Sequence, residues 1–63
     1  MKVKKLAKKL DKIEKVRIYF SDGWDTIDAK ELLRKYGGKR VRSVSAGYYP
    51  EISAVPIIVI HAE

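Results

Sequence analysis

The sequence contains no cysteine, a single histidine and no long apolar run. Without cysteine the chain cannot form a disulfide or a thiolate metal site, and one histidine cannot build a zinc site by itself. No segment approaches the ~18 consecutive apolar residues of a membrane-spanning helix. We therefore predict a soluble, cytoplasmic protein with no metal, no cofactor and no membrane partner.

The residue sets that carry catalysis are also missing. The sequence has no spaced set of nucleophile, base and orienting group, and no glycine-rich loop that would cradle a phosphate. Asp22, Asp25 and Asp28 recur every three residues around a turn, a spacing that does not match a calcium-binding loop. His61 stands alone near the end of the chain and is predicted to be exposed. We predict a protein that is not an enzyme and takes no small-molecule substrate.

The length of the chain and its net charge indicate the size of the domain and the kind of partner that it favours. A chain of 63 residues forms one small domain, residues 1–63, whose limited core favours self-association. Lys and Arg number 14 and Asp and Glu number 8, so the formal net charge is +6. An excess of this size favours polyanionic partners such as nucleic acid.

Two segments have the apolar spacing of amphipathic helices. In residues 2–13, Val3, Leu6 and Leu10 recur on one side, which predicts a helix with lysines on its opposite face. In residues 28–36, Asp28 is predicted to be the N-cap, with Glu31 placed as in a capping box. Gly37-Gly38 is predicted to end this second helix in a left-handed conformation.

Four segments have the pattern of strands. Residues 15–20 alternate, which places Val16, Ile18 and Phe20 on one face and Arg17 and Tyr19 on the other. A turn at Asp22-Gly23, with glycine at positive φ, returns the chain as a short strand over residues 24–27. Residues 39–46 predict a third strand that needs a bulge or a later start. Residues 55–61 predict a last strand that is apolar at four successive positions, 57–60, and therefore central.

This order predicts an α+β fold, a two-layer α-β-β-α-β-β arrangement with a four-stranded antiparallel sheet and both helices on one face. We expect the strands at 15–20 and 55–61 to lie in the centre and the other two at the edges.

The chain resembles small proteins encoded by phages and prophages of Gram-positive bacteria. These combine a helical V-K-x-L start, a V-x-I-Y strand, a D-G turn, a helix with a leucine stripe, a V-x-S-V strand and a final apolar strand. The matching residues here are Val3-Lys4-Lys5-Leu6, Val16-Arg17-Ile18-Tyr19, Asp22-Gly23, Glu31-Leu32-Leu33, Val41-Arg42-Ser43-Val44 and residues 57–60. The resemblance implies the fold and carries over no activity or functional residue. The strongly basic composition departs from the pattern.

Two basic groups are candidates for contact with nucleic acid. The first is the lysine face of the first helix, which can either contact phosphates or simply be a solvated face of good helix formers. The second runs from the second helix into the third strand, where helix capping and edge protection are the alternative roles. The residues are Lys5, Lys8, Lys9 and Lys12 in the first group and Arg34, Lys35, Lys39, Arg40 and Arg42 in the second.

A further set of residues is the candidate interface. Arginine beside aromatic rings on an open sheet face can stack bases, but an apolar open face is more often a dimer interface, which we favour here. The loop aromatics of the set can be interaction anchors or caps on a small core. The residues are Arg17, Tyr19, Trp24, Tyr48, Tyr49, Ile58 and Ile60.

Two functional hypotheses follow from the sequence. The preferred one is a small non-enzymatic interaction module, a homodimer or a partner of another protein, of phage or mobile-element origin. The alternative is a basic nucleic-acid-binding accessory protein that uses the lysine face of the first helix.

Overall fold

The computed structural model describes residues 1–63, which form two short helices and a four-stranded sheet. In chain order the elements are α1 (Val3–Ala7), β1 (Lys15–Phe20), β2 (Gly23–Asp28), α2 (Ala29–Tyr36), β3 (Val41–Gly47) and β4 (Ile57–Ala62). The predicted α+β class and the predicted order of the elements are confirmed. Neither helix has the length and apolar character needed to cross a membrane.

The sheet has the strand order β2-β1-β4-β3, so the central positions predicted for β1 and β4 are confirmed. β1 and β2 are antiparallel, as are β3 and β4, but β1 and β4 are parallel. The predicted all-antiparallel sheet is therefore wrong. The reason is that α2 lies between the β1–β2 hairpin and the β3–β4 hairpin and runs opposite to β2. The chain therefore enters β3 in the same direction as β2, and β4 runs in the same direction as β1.

α1 is shorter than the helix predicted over residues 2–13. It ends at Ala7, and residues 8–13 form turns and irregular structure. Its first turn contains no acidic residue, although the helix dipole prefers anions there. Burial of Val3 and Ala7 holds the helix in place. Leu10 still packs against the core, but Ile13 is 79% exposed, so the apolar contacts that would offset lysine repulsion decrease after Ala7.

Asp28 begins α2 as predicted. Its carboxylate accepts a hydrogen bond from the backbone N–H of Glu31 at 2.8 Å, which satisfies one of the free donors of the first turn. The reciprocal contact of a capping box is not made, because the Glu31 carboxylate instead binds Arg34 at 2.6 Å. The Arg34 guanidinium holds the pKa of Glu31 below its ordinary value.

The end of α2 differs from the prediction. No glycine in the chain has a positive φ, so the left-handed stop at Gly37-Gly38 and the left-handed glycine at Gly23 are both wrong. Gly37 has φ −56° and serves close packing instead. A Cβ atom at Gly37 would lie 2.5 Å from the Leu33 carbonyl oxygen and 3.2 Å from Cβ of Lys4, in α1.

The two remaining strand predictions are confirmed in their main features. β3 begins at Val41, later than predicted, and its register shifts between Val41 and Ser43, so a late start and an irregularity both occur. In β4, Ile57, Val59 and Ile60 are all buried, as expected for a central strand that is covered on both sides.

The core joins both helices to alternate residues of β1 and β4. Its members are Val3 and Ala7 of α1, Val16 and Ile18 of β1, Leu32 of α2, and Ile60 and Ala62 of β4. Ile60 is wholly buried and Ile58 packs against this cluster, so the prediction that these two isoleucines line the opposite face is wrong. The parallel register aligns Val16 with Ile58 and Ile18 with Ile60, and residues that are aligned across a sheet share a face.

Candidate nucleic-acid interface

The other side of the sheet, which we call the second face, is formed by the strand residues that alternate with those of the core. The strand registers bring six of them together: Arg17 and Tyr19 of β1, Val59 and His61 of β4, and Thr26 and Trp24 of β2. The prediction that Arg17 and Tyr19 point away from Val16 and Ile18 is confirmed, since only the latter pair belongs to the core cluster.

Three rings form a row across β2, β1 and β4. Tyr19 is aligned with Trp24 on one side and with His61 on the other. The rings of Tyr19 and His61 are stacked, with centroids 5.2 Å apart and planes inclined by 15°. Trp24 is 58% exposed and His61 is also exposed. The two ends of the row, Trp24 and His61, are therefore accessible from solvent.

Arg17 is fixed beside this row. Its guanidinium carbon lies 4.1 Å from the Trp24 ring centroid and 4.3 Å from that of Tyr49. The Nε–H group donates to Oγ1 of Thr26 at 2.5 Å, and Nη1 donates to the Tyr19 hydroxyl at 3.2 Å. Only 9% of Arg17 is exposed. Two rings and two hydrogen bonds thus set the orientation of the guanidinium.

No carboxylate neutralises Arg17. The ion pairs of the chain join Arg34 to Glu31 and Arg42 to Glu63. No buried side-chain nitrogen or oxygen lacks a hydrogen-bond partner, so the guanidinium N–H groups without a protein acceptor reach solvent. Cation–π contacts partly compensate a desolvated guanidinium, and no acidic side chain cancels its positive charge.

The phenols of Tyr19 and Tyr49 form a hydrogen-bonded pair, with oxygens 3.1 Å apart, in which either hydroxyl can be the donor. This hydrogen bond raises the pKa of Tyr49. The bond to Tyr49 and then the one from Arg17 lower the pKa of Tyr19. Because only one of the two hydroxyl protons lies between the phenols, the other can be donated to a ligand.

Gly47 makes room for Tyr49 over the sheet. A Cβ atom at Gly47 would lie 2.8 Å from Cε2 of Tyr49 and 2.8 Å from Cγ2 of Val59. Such distances are too short for carbon atoms, so a larger residue at this position has to displace the ring. The placement of Tyr49 against Arg17 therefore depends on a glycine in the last position of β3.

Replacing Gly47 with alanine is expected to destabilise the protein by about 1–3 kcal/mol, the usual cost of forcing an extra methyl group into a packed site. Urea denaturation measures the change. Gly38→Ala is the matched control, because a Cβ atom there meets nothing within 4 Å. Equal effects of the two substitutions would show that Tyr49 is not packed against Gly47.

The lysines predicted to share one helical face are not so arranged. Lys5 lies in α1, but the helix ends at Ala7, and Lys8, Lys9 and Lys12 follow in turns and irregular structure. All four are exposed. They contribute positive charge to this end of the molecule without forming a regular stripe.

The second basic group is partly engaged within the chain. Arg34 pairs with Glu31, and Arg42 lies 3.8 Å from Glu63. The ammonium group of Lys39 lies 5.0 Å from the Phe20 ring centroid. Arg34 and Lys35 lie in the last turn of α2, where cations complement the helix dipole. Arg40 is exposed.

Backbone hydrogen bonds join the second basic group to the N-terminal segment. The N–H of Val3 donates to the Lys39 carbonyl at 2.8 Å, and the N–H of Val41 donates to the Met1 carbonyl at 2.8 Å. Lys2 forms a bridge with Arg40. Basic residues of the N-terminal segment and of the second basic group thus lie side by side at this edge of the molecule.

The two loop tyrosines, Tyr48 and Tyr49, have different surroundings. Tyr48 is 62% exposed and makes no side-chain hydrogen bond, whereas the half-buried Tyr49 packs on the second face. Sequence reasoning missed Thr26 as a partner of Arg17 and His61 as a partner of Tyr19. Both contacts depend on strand register, and no local signal in the sequence identifies them.

A groove of about 530 Å³ opens where β1 and β4 end, next to the ring row. Tyr19 and His61 line one part of it, and Arg42 and Ser43 line another. No three His, Asp or Glu side chains come close enough together to hold a metal ion. The donors that face this region are hydroxyl groups, the imidazole and a guanidinium.

No protein-family model, curated protein or solved structure matches this chain. The resemblance to phage and prophage proteins therefore stays a prediction, and the second face itself provides the evidence on function.

Proposed function

We propose that both helices cover one face of the sheet and that the second face binds single-stranded nucleic acid. The row of Trp24, Tyr19 and His61 is the observation that carries this proposal. Four-stranded sheets with exposed rings bind single strands by stacking bases on those rings. The core cluster, which unites residues of α1 and α2 with one side of β1 and β4, supports the placement of the helices.

The charge of the face suits a phosphate backbone. Arg17 has no carboxylate partner, and the chain carries a formal net charge of +6. The hydroxyl pair of Tyr19 and Tyr49 supplies one further donor for a phosphate or a base edge. The exposed lysines after α1 add attraction at longer range, which speeds the encounter with a polyanion. Stacking and charge thus favour the same ligand.

A single strand fits better than a duplex. Stacking on an exposed ring such as that of Trp24 needs unstacked bases with free faces. In a duplex those faces are covered by neighbouring base pairs. The lysines that were predicted to share one face of the first helix also do not form that face, because α1 ends at Ala7.

The predicted dimer interface on the second face depended on apolar residues, and two of these residues do not lie on that face. Ile58 and Ile60 pack with the core, so the exposed part of the second face is aromatic and polar instead of aliphatic. This composition favours base stacking over a hydrophobic protein interface. The interaction-module hypothesis stays a prediction and needs a different surface.

The test is the binding of a fluorescently labelled oligothymidylate, followed by anisotropy, to the wild type and to Trp24→Ala. Loss of one stacking ring costs about 1–3 kcal/mol, which is roughly 5- to 150-fold in affinity. Tyr48→Ala is the matched control, because it removes a ring of similar exposure outside the row. We expect the control to bind as tightly as the wild type.

A duplex and a salt series complete the experiment. We expect the single strand to bind more tightly than a duplex of equal length, and its affinity to fall with rising salt by a log–log slope of about −0.7 for each phosphate contacted. Equal binding of both forms, together with no effect of Trp24→Ala, would contradict the proposal.

A further inference from the structure

β3 is an edge strand of the sheet, and most of its residues are exposed. β4 lies on one side of it, and on the other side only its first residue is paired, through the Val41 N–H and the Met1 carbonyl oxygen. Five successive residues, 42–46, are exposed. Val44 and Ala46 are aligned with Ile60 and Ile58 of the core side, yet Val44 is 49% exposed. The free backbone groups of such an edge are a template for another strand.

The usual protection against edge pairing is absent over the last part of β3. Residues 43–47 read Ser-Val-Ser-Ala-Gly, with no charge and no proline. The register shift lies before this stretch, between Val41 and Ser43, and leaves the remainder regular. By contrast, the opposite edge strand, β2, carries two carboxylates, Asp25 and Asp28.

We propose that β3 pairs antiparallel with β3 of a second copy of this chain, with Ser45 on the two-fold axis. The strand is self-complementary in this register. Val44 lies opposite Ala46 of the second copy, and by symmetry Ala46 lies opposite the second Val44. The half-exposed valine of each copy is then covered by the partner strand.

The ends of the strand fit the same register. Arg42 lies opposite Tyr48 of the second copy, and both side chains are exposed, at 68% for Arg42 and 62% for Tyr48. A guanidinium beside a tyrosine ring is attractive. The antiparallel arrangement also keeps the two Arg42 side chains at opposite ends, so like charges do not meet. The exposed Tyr48, which has no role within one copy, acquires a partner.

The consequence is a continuous sheet of twice the width. The second faces of the two copies then lie side by side on the same side of this sheet. The β3 residues that are aligned with Val59 and His61 belong to the second face and form the border between the two copies. This pairing is independent of the nucleic-acid proposal, since it uses the edge of the sheet and not its ring row. It also gives the predicted homodimer a location away from the second face.

Sedimentation equilibrium from micromolar to millimolar protein tests the pairing. We expect the wild type to move from monomer to dimer across this range and Val44→Glu to stay monomeric, because the new carboxylates of the two copies lie diagonally close. Val55→Glu is the matched control, with the same chemistry at a valine that is 63% exposed outside the strand, and should dimerise like the wild type. A wild type that stays monomeric at millimolar concentration, or a Val44→Glu that dimerises equally well, would overturn the proposal.

An introduced cysteine checks the register directly, since the chain has none of its own. Residues directly opposite each other in an antiparallel pair have Cα atoms roughly 4.5–5.5 Å apart, within the range of a disulfide. Ser45→Cys should therefore form a disulfide-linked dimer under mild oxidation much faster than Val55→Cys. Equal rates for the two variants would show that Ser45 does not lie on the axis.

Discussion

Replacing Ile60 with alanine is expected to unfold a large fraction of the protein. Ile60 is wholly buried in a central strand, and truncation of such a residue costs about 2–5 kcal/mol. At roughly 0.05–0.15 kcal/mol per residue, the total stability of a chain of this size is about 3–9 kcal/mol. The loss is therefore comparable with the whole free energy of unfolding.

Urea denaturation followed by circular dichroism measures this effect. Val55→Ala is the control: its side chain is 63% exposed, and exposed substitutions usually change stability by less than about 0.5 kcal/mol. A cost below about 1 kcal/mol for Ile60→Ala would place Ile60 on an open face. That result would contradict the parallel register of β1 and β4.

Replacing Arg17 with lysine is expected to destabilise the protein by about 1–3 kcal/mol, although the charge is kept. The guanidinium is flat, and it fills the space between the rings of Trp24 and Tyr49. An ammonium group is compact and strongly hydrated, and it cannot stack in this way. The substitution also removes the Nε–H group that donates to Thr26.

The same substitution at Arg42 is the control for Arg17→Lys, because 68% of the Arg42 side chain is exposed. We expect Arg42→Lys to leave the urea midpoint nearly unchanged. Arg17→Lys should also weaken binding of a single strand, since Trp24 and Tyr49 lose the group that lies between them. If Arg17→Lys were as stable as Arg42→Lys, the guanidinium would not be clamped between the rings.

Features set by neighbouring residues could be predicted from the sequence. Asp28 caps α2 through a contact three residues away, and the alternation of Val16, Arg17 and Ile18 depends only on the geometry of one strand. The central position of β4 followed from its continuous apolar run. In each case the deciding interaction is local or depends on hydrophobicity alone.

The faces of β4 could not be predicted, because they depend on how two distant strands align. A shift of one residue exchanges every side chain between the two faces of a sheet. Sequence reasoning assigned Ile58 and Ile60 to the second face, whereas the parallel register places Val59 and His61 there. The direction of β4 in turn depends on the reversal of the chain by α2.

The candidate site could be predicted from the sequence only in part, for the same reason. Arg17, Tyr19, Trp24 and Tyr49 all stood out as residue types, but nothing local shows that Arg17 lies between two of these rings. That contact requires the β1–β2 register and the close approach of Tyr49 over Gly47. Likewise, the extent of α1 depends on which apolar residues find a core, and Ile13 does not.

The most direct test of the second face is the fluorescence of Trp24, the only tryptophan in the chain. It should be measured at low salt while unlabelled oligothymidylate is added. We predict saturable quenching, because a base stacks on or next to the exposed indole, and reversal of the quenching when salt is raised. Unchanged Trp24 fluorescence at oligonucleotide concentrations that saturate binding in the anisotropy assay, or no binding in either assay, would contradict a nucleic-acid site on this face.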